Sequence, residues 1–277
     1  MNSKLKHYAI SAAVIAAFTC SSVASAMTLT NNDGTFTNWG GFDWASNGTA
    51  VVNGFNPTLL TGFGSTFNLT YYANATGLTD SGGVGLYTPS LNAPSIVPTR
   101  YEYTIQALLN ETSICISDNG TICTAANFSV NSGSFQVWYD TTPDSNMVTG
   151  AGITDGTGII TGSLLSQPGG GFNVLTGGAA TLQALITSTN NTFINPNLSS
   201  STATTSLQIG GTLTAWLPPT SMPGVGGGTQ SLPAGVIALQ ADGNQNFKVA
   251  TVPEPGSLAL LGLGLTGLTF MRRRKKA

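Results

Sequence analysis

The residues able to do chemistry are few and nearly all of one kind. Between residues 27 and 252 the chain holds ten carboxylates against Arg100 and Lys248, a formal charge of −8, and no histidine, because His7 is the only one in the sequence. Without an imidazole, neither a Ser-His-Asp nor a Cys-His nucleophile system can be assembled. Lys248 is the only lysine of this stretch and has no Ser-x-x-Lys setting around it. Paired carboxylates remain, the equipment of glycoside hydrolysis, and they could come from Glu102, Glu111, Asp140, Asp144 or Asp155. Their spacing selects no two of them. Asp140, Asp144, Asn146 and Asp155 also offer hard oxygen ligands of the sort calcium takes, but no EF-hand or nonapeptide pattern orders them, so they read as a solvated loop. The expectation is a protein that is not an enzyme and has no cofactor and no resident metal.

Cys115 and Cys123 are the only cysteines after residue 26, with Asp118-Asn119-Gly120 between them. An even pair in an exported chain reads as a disulfide clamping the end of a hairpin. Redox work would need C-x-x-C spacing, and a zinc site would need two more ligands. Trp39, Trp44, Trp138 and Trp216 could serve as sugar-stacking platforms, the alternative reading being a carbohydrate-binding module; core aromatics are the simpler account. An anionic body with two cations offers no electrostatic footprint for nucleic acid.

Both ends of the chain carry targeting chemistry. Lys4 and Lys6, the apolar run from Ala9 to Phe18 and the small residues of Ala24-Ser25-Ala26 form an export signal over residues 1–26, to be cut by signal peptidase after Ala26. Cys20 follows Phe18-Thr19 and lacks the small-residue context of a lipidated cysteine. At the other end, Pro253-Glu254-Pro255 precedes an apolar run over 257–271 and then Arg272-Arg273-Arg274-Lys275-Lys276. As a helix the run spans roughly 22 Å, short of the ~30 Å hydrocarbon core, so it is a weak transmembrane anchor. The five cations belong on the cytoplasmic side, as do Lys4 and Lys6, and the intervening residues then face outward. Pro253 and Pro255 keep the entry to the run extended and reachable by a processing enzyme.

The body, residues 27–250, alternates with period two. Phe67–Ala73, Tyr101–Ala107 and Ser134–Asp140 place apolar and aromatic residues on one face, and shorter candidates lie at 114–116, 158–164, 181–187, 206–209, 212–216 and 236–240. Gly, Asn, Asp and Pro clusters separate them. These features predict an all-β, antiparallel, sandwich-like single domain, with a β-solenoid as the alternative. Residues 217–235 read as a Pro/Gly-rich loop or linker, and Asp242-Gly243 as the turn of a last hairpin between 236–240 and 247–250. Eight Asn-x-Ser/Thr sequons arise from the composition and read as polar strand surface rather than glycan sites.

The order of Pro-Glu-Pro, apolar run and basic end over 251–277 resembles the PEP-CTERM group of bacterial exosortase substrates. In the body, Phe42-Asp43-Trp44 with Ala50-Val51-Val52, Phe135 to Asp140, Thr149 to Thr157 with Ile159 to Gly162, and Leu239 to Asp242 before Phe247 are similar to the flocculation-associated PEP-CTERM proteins, departing from them at Ile153. The first resemblance implies an exosortase-type partner and a transient hold on the membrane through residues 257–271. The second implies a cell-surface or matrix protein, structural or adhesive in flocs or biofilm, with exopolysaccharide as its companion; it carries over no catalytic residue.

Overall fold

Alternation extends further than the short runs suggest, and it builds long strands. The computed structural model describes residues 26–210 and 216–249, and no helix occurs among them. The signal segment before Ala26 and the tail, with its expected helix over 257–271, lie outside the described residues. Two short strands, β1 (Thr28–Asn31) and β2 (Gly34–Thr37), form a hairpin turned at Asn32-Asp33. Four long ones follow: β3 (Trp39–Asn53), β4 (Gly64–Asp80), β5 (Glu102–Asp118) and β6 (Cys123–Asp140). The runs at 101–107 and 114–116 therefore belong to one strand, β5. Next come β7 (Thr157–Leu164), β8 (Gln167–Asn173), β9 (Gly177–Thr189), β10 (Ile194–Asn195) and β11 (Thr202–Ile209). The small β12 (Ser221–Pro223) and β13 (Thr229–Ser231) precede the last strand, β14 (Ile237–Lys248).

Every neighbouring pair in the main sheet is antiparallel, and the sheet closes on itself. Its order runs β14, β3, β4, β5, β6, then β7 along one half of β6 and β8 along the other, then β9 and β11. β11 pairs along its full length with both β9 and β14, from Thr202 opposite Leu185 and Lys248 to Ile209 opposite Gly178 and Ala241. Opposite halves of the sheet face one another across one interior, the antiparallel all-β arrangement expected, and there is no solenoid among the described residues. Closure leaves the main ring without a free edge, the usual route to edge-to-edge aggregation.

The inward rows follow from period two. On β5, Tyr103, Ile105, Ala107 and Leu109 point inward; on β9, Leu182, Ala184 and Ile186; on β11, Ala203, Leu207 and Ile209. One end of the interior is sealed by aromatic rings. Trp39 packs on Phe42 and Phe247 at 5.2 and 5.1 Å, Phe42 stacks on Trp44 at 4.9 Å, and Tyr101, Tyr103 and Tyr139 meet at 5.2–5.6 Å. Each such ring contributes about 1.5–3 kcal/mol by burial. The β1–β2 hairpin, extended by β10, adds buried Leu29 and Ile194 to the same core, and Asp33 accepts a hydrogen bond from the Tyr101 hydroxyl at 2.8 Å. Gly41 on β3 is required here, because any Cβ would collide with the Gln245 carbonyl of β14.

A second, smaller cluster lies on the outside of the ring. Val51 and Tyr72 are covered by Met147 and Ile153 from the loop after β6 and by Met222 of β12. The Pro/Gly-rich segment 217–235 thus holds the β12–β13 hairpin and packs on the ring instead of acting as a free linker, with Gln106 Nε2 donating to Pro223 O at 3.2 Å; the loop after β6 is held in turn by Tyr72 Oη, which donates to Met147 O at 3.1 Å. Gly150, at φ 70°, allows the loop to pass under Met222-Pro223.

One expectation fails. Asp242-Gly243 does not turn a hairpin; both residues lie inside β14, which pairs without a break with β11 on one side and shifts register against β3 on the other. Turn chemistry is overridden because both flanks offer partners, and Gly243 fits since a Cβ there would lie 2.6 Å from the Tyr71 hydroxyl oxygen.

Cys115 of β5 and Cys123 of β6 are bonded and buried, with Cα atoms 5.7 Å apart, at the end of the ring remote from the aromatic seal. Closing so short a loop restricts the unfolded chain by about 2–3 kcal/mol. A Cys115→Ser/Cys123→Ser double variant is expected to lose that much unfolding free energy in urea titration with its m-value nearly unchanged.

Candidate functional site

The candidate carboxylates separate by the parity of their strand positions. Glu102 and Glu111 are nine residues apart on β5, so their side chains leave opposite faces of the sheet, roughly 30 Å apart along the strand. They cannot flank one sugar. Glu102 points outward beneath the covering loop, where its carboxylate accepts the Asp144 and Ser145 backbone N–H groups at 2.9 and 3.1 Å and the Ser145 hydroxyl. Burial raises its pKa, and these three donors oppose the rise. It acts as a peg, with Thr104 Oγ1 donating to Ile153 O at 2.6 Å two residues along the same outer row.

The covering loop brings together Asp140, Asp144 and Asp155, with one carboxylate oxygen from each within 4.8 Å of the others. Their oxygen-only chemistry would suit a hard divalent cation. Burial, then Asp155 and Asp140, raise the Asp144 pKa, and Arg100 pulls it down. Asn146, grouped with them by sequence, turns away: its Oδ1 accepts the Val148 and Thr149 N–H groups at 2.9 and 3.0 Å.

The tryptophans are not a surface platform. Trp39 and Trp44 are within the core at 0% and 1% exposure and Trp138 is buried, whereas Trp216 is half-buried with Nε1 donating to Thr49 Oγ1 at 3.1 Å. The open part of the outer face is instead lined by amides and hydroxyls. Across β4, β5 and β6, Asn131 Nδ2 donates to Asn110 Oδ1 at 2.9 Å and Asn110 Nδ2 to Asn68 Oδ1 at 3.0 Å. Thr112 joins the strip through Asn131 Nδ2 at 3.0 Å and faces Thr66 at 3.5 Å. Two sequon asparagines, Asn68 and Asn110, are thus rungs of a neutral cross-strand ladder.

Of the expected site residues, Ala26 is exposed at the start of the described chain and Cys115–Cys123 forms the expected clamp. Ala24, the Pro253-Glu254-Pro255 motif and Arg272 to Lys276 lie outside the described residues. Their sequence decides the matter. Residues 251–275 match the family model for the PEP-CTERM protein-sorting motif. The chain carries a PEP-CTERM sorting signal. Such a signal marks an exported protein that an exosortase processes after a transient hold at the membrane. No curated protein and no solved structure matches the chain. The PEP-CTERM match covers the tail alone, and the body's role rests on its own chemistry.

The residue that sequence reading undervalued is Glu111. Tyr103, Ile105, Ala107 and Leu109 establish an inward row on β5, and the same period carries Glu111 inside, where it is 4% exposed. Burial alone pushes its pKa up to about 7, from an ordinary carboxylate value of about 4.5. The folded protein therefore holds a proton that the unfolded chain has released. Stability from this group is complete below about pH 4.5 and is lost as pH rises through 7. Glu111→Gln removes that slope. The unfolding free energy of the native protein relative to the variant is expected to fall by on the order of 3 kcal/mol between pH 4.5 and 8; parallel profiles in denaturant titrations would refute the assignment.

Proposed function

We propose that this PEP-CTERM protein is a non-catalytic structural or adhesive component of the cell surface or extracellular matrix, acting with exopolysaccharide in floc or biofilm formation. The supporting observation is the Asn68–Asn110–Asn131 ladder with Thr66 and Thr112: a rigid, neutral row of amide and hydroxyl groups on the open face of an exported barrel. Polysaccharide hydroxyls exchange hydrogen bonds with such groups one for one, directly or through water. Closure of the ring further suits a protein that must stay folded at high local concentration without joining its own strands edge to edge. The charge of −8 disfavours anionic polymers and favours a neutral one or one bridged by cations.

The test compares cells making the native protein with cells making an Asn110→Ala/Asn131→Ala variant. Exopolysaccharide capture by the variant is expected to weaken by roughly tenfold or more, as loss of two hydrogen bonds at ~1 kcal/mol each implies. Cell aggregation should fall with it while the melting temperature is kept. Unchanged aggregation in a clean deletion of the whole gene would contradict the adhesive role itself.

A further inference from the structure

The end of the ring opposite the aromatic seal is open, and it leads to Glu111. A cavity of about 70 Å³ lies inside this mouth, bounded by Phe67, Leu69, Leu109, Leu182 and Leu207 with the Glu111 side chain in its wall. An outer groove of about 280 Å³ adjoins it, and Phe55, Phe128, Phe172, Ile237 and Leu239 line both. Ile122 and Val174, on the rim of the groove, are 38% and 51% exposed, and the adjoining Leu175 is 89% exposed. Small-molecule sites have this form, apolar walls with one placed polar group at the mouth of a barrel.

Glu111 is the anomaly. It stands in the inward row of β5, and among the described residues its carboxylate has no hydrogen-bond partner. An unpartnered carboxyl in an apolar cavity costs stability that a leucine at this position would not. Gly169 of β8 keeps the approach open: a Cβ there would meet Glu111 Oε1 at 3.8 Å and Val130 at 3.4 Å, ordinary contacts, so this glycine is not needed to avoid a clash. The site therefore combines a space beside a carboxyl, an aromatic passage to solvent and an anionic body.

We propose that the barrel mouth binds a small primary amine carried on an apolar, aromatic-sized body, with the amine against Glu111 and the apolar part between Phe55, Phe128 and Phe172. The volumes set the order of entry. At ~30 Å³ per water-sized group, the inner cavity admits about two or three heavy atoms, enough for an aminoethyl end, while the outer groove takes a ring. The phenylalanine rings that line the groove suit an aromatic body, and the ammonium supplies the donors that Glu111 lacks. A carboxylate ligand would be repelled there above pH 7, where Glu111 is ionised, and an alcohol would supply one donor without charge.

The probes are 2-phenylethylamine, 2-phenylethanol and 3-phenylpropanoate, titrated calorimetrically into the exported protein recovered from cells. The amine is expected to bind saturably, the alcohol at least about tenfold more weakly, as a charge-assisted bond is about twice as strong as a neutral one, and the carboxylate not at all. Glu111→Gln should weaken the amine by at least about tenfold and bring it level with the alcohol. Gly169→Val, which keeps Glu111 and fills the space beside it, should abolish binding of both, and it decides the question if Glu111→Gln fails to fold. No saturable binding of the amine at millimolar concentration, equal affinity for amine and alcohol, or amine binding that survives either variant would overturn the proposal.

Discussion

The double pairing of β11 is the constraint on which the rest of the structure depends. Eight residues, Thr202 to Ile209, satisfy β9 on one flank and β14 on the other, and so join what would otherwise be two exposed sheet edges. Without that strand the inward rows of β3 to β6 would have no opposite wall. With it, every inward residue shares one interior, and the two ends of that interior can differ in chemistry. At one end Trp39, Phe42, Trp44 and the three packed tyrosines fill the interior; at the other, the leucines and phenylalanines around Glu111 leave a space. The disulfide lies at the open end, where hairpin β5–β6 has fewer core contacts to hold it.

Closure also ties the body to its sorting tail. β14 is the strand that links β11 to β3, and it ends at Lys248, while the PEP-CTERM motif begins at residue 251. Processing near Pro253-Glu254-Pro255 leaves every strand of the ring in place. A cut even a few residues earlier would shorten the pairing of Thr202 and Ala203 with Lys248 and Phe247 and take Phe247 from the aromatic seal. The long-range partnership of β3 with β14 further means that the ring cannot be completed until nearly the whole body is available, a high-contact-order step.

Much of this was legible in the sequence, and what was missed has a physical reason in each case. Alternation in Phe67–Ala73, Tyr101–Ala107 and Ser134–Asp140 identified real strands because their inner faces are apolar and their outer faces polar. It stopped short on β5 after Ala107, where Leu108, outward but apolar, and Glu111, inward but ionisable, break the simple code. Asp242-Gly243 looked like a turn because local preference cannot reveal that both flanks already have partners. The closing role of β11 is invisible for the same cause: Thr202–Ile209 reads as an ordinary half-buried strand, and its two neighbours are 17 and 32 residues away at their nearest register pairs, Thr202 with Leu185 and Ile209 with Ala241. Trp39 and Trp44 were ambiguous between platform and core until the seal placed them. The Asn ladder was hidden within a composition rich in Asn and Thr; only the register of β4, β5 and β6 aligns those amides.

The central claim is that the tail delivers an intact closed barrel and is then removed. Intact mass measurement of the protein recovered from the cell surface tests this most directly. The account predicts a species that begins at Met27, ends beyond Lys248, lacks Arg272 to Lys276, and is lighter by two hydrogens than its reduced form. A surface species that keeps the basic end, or one that ends before Lys248, would contradict it.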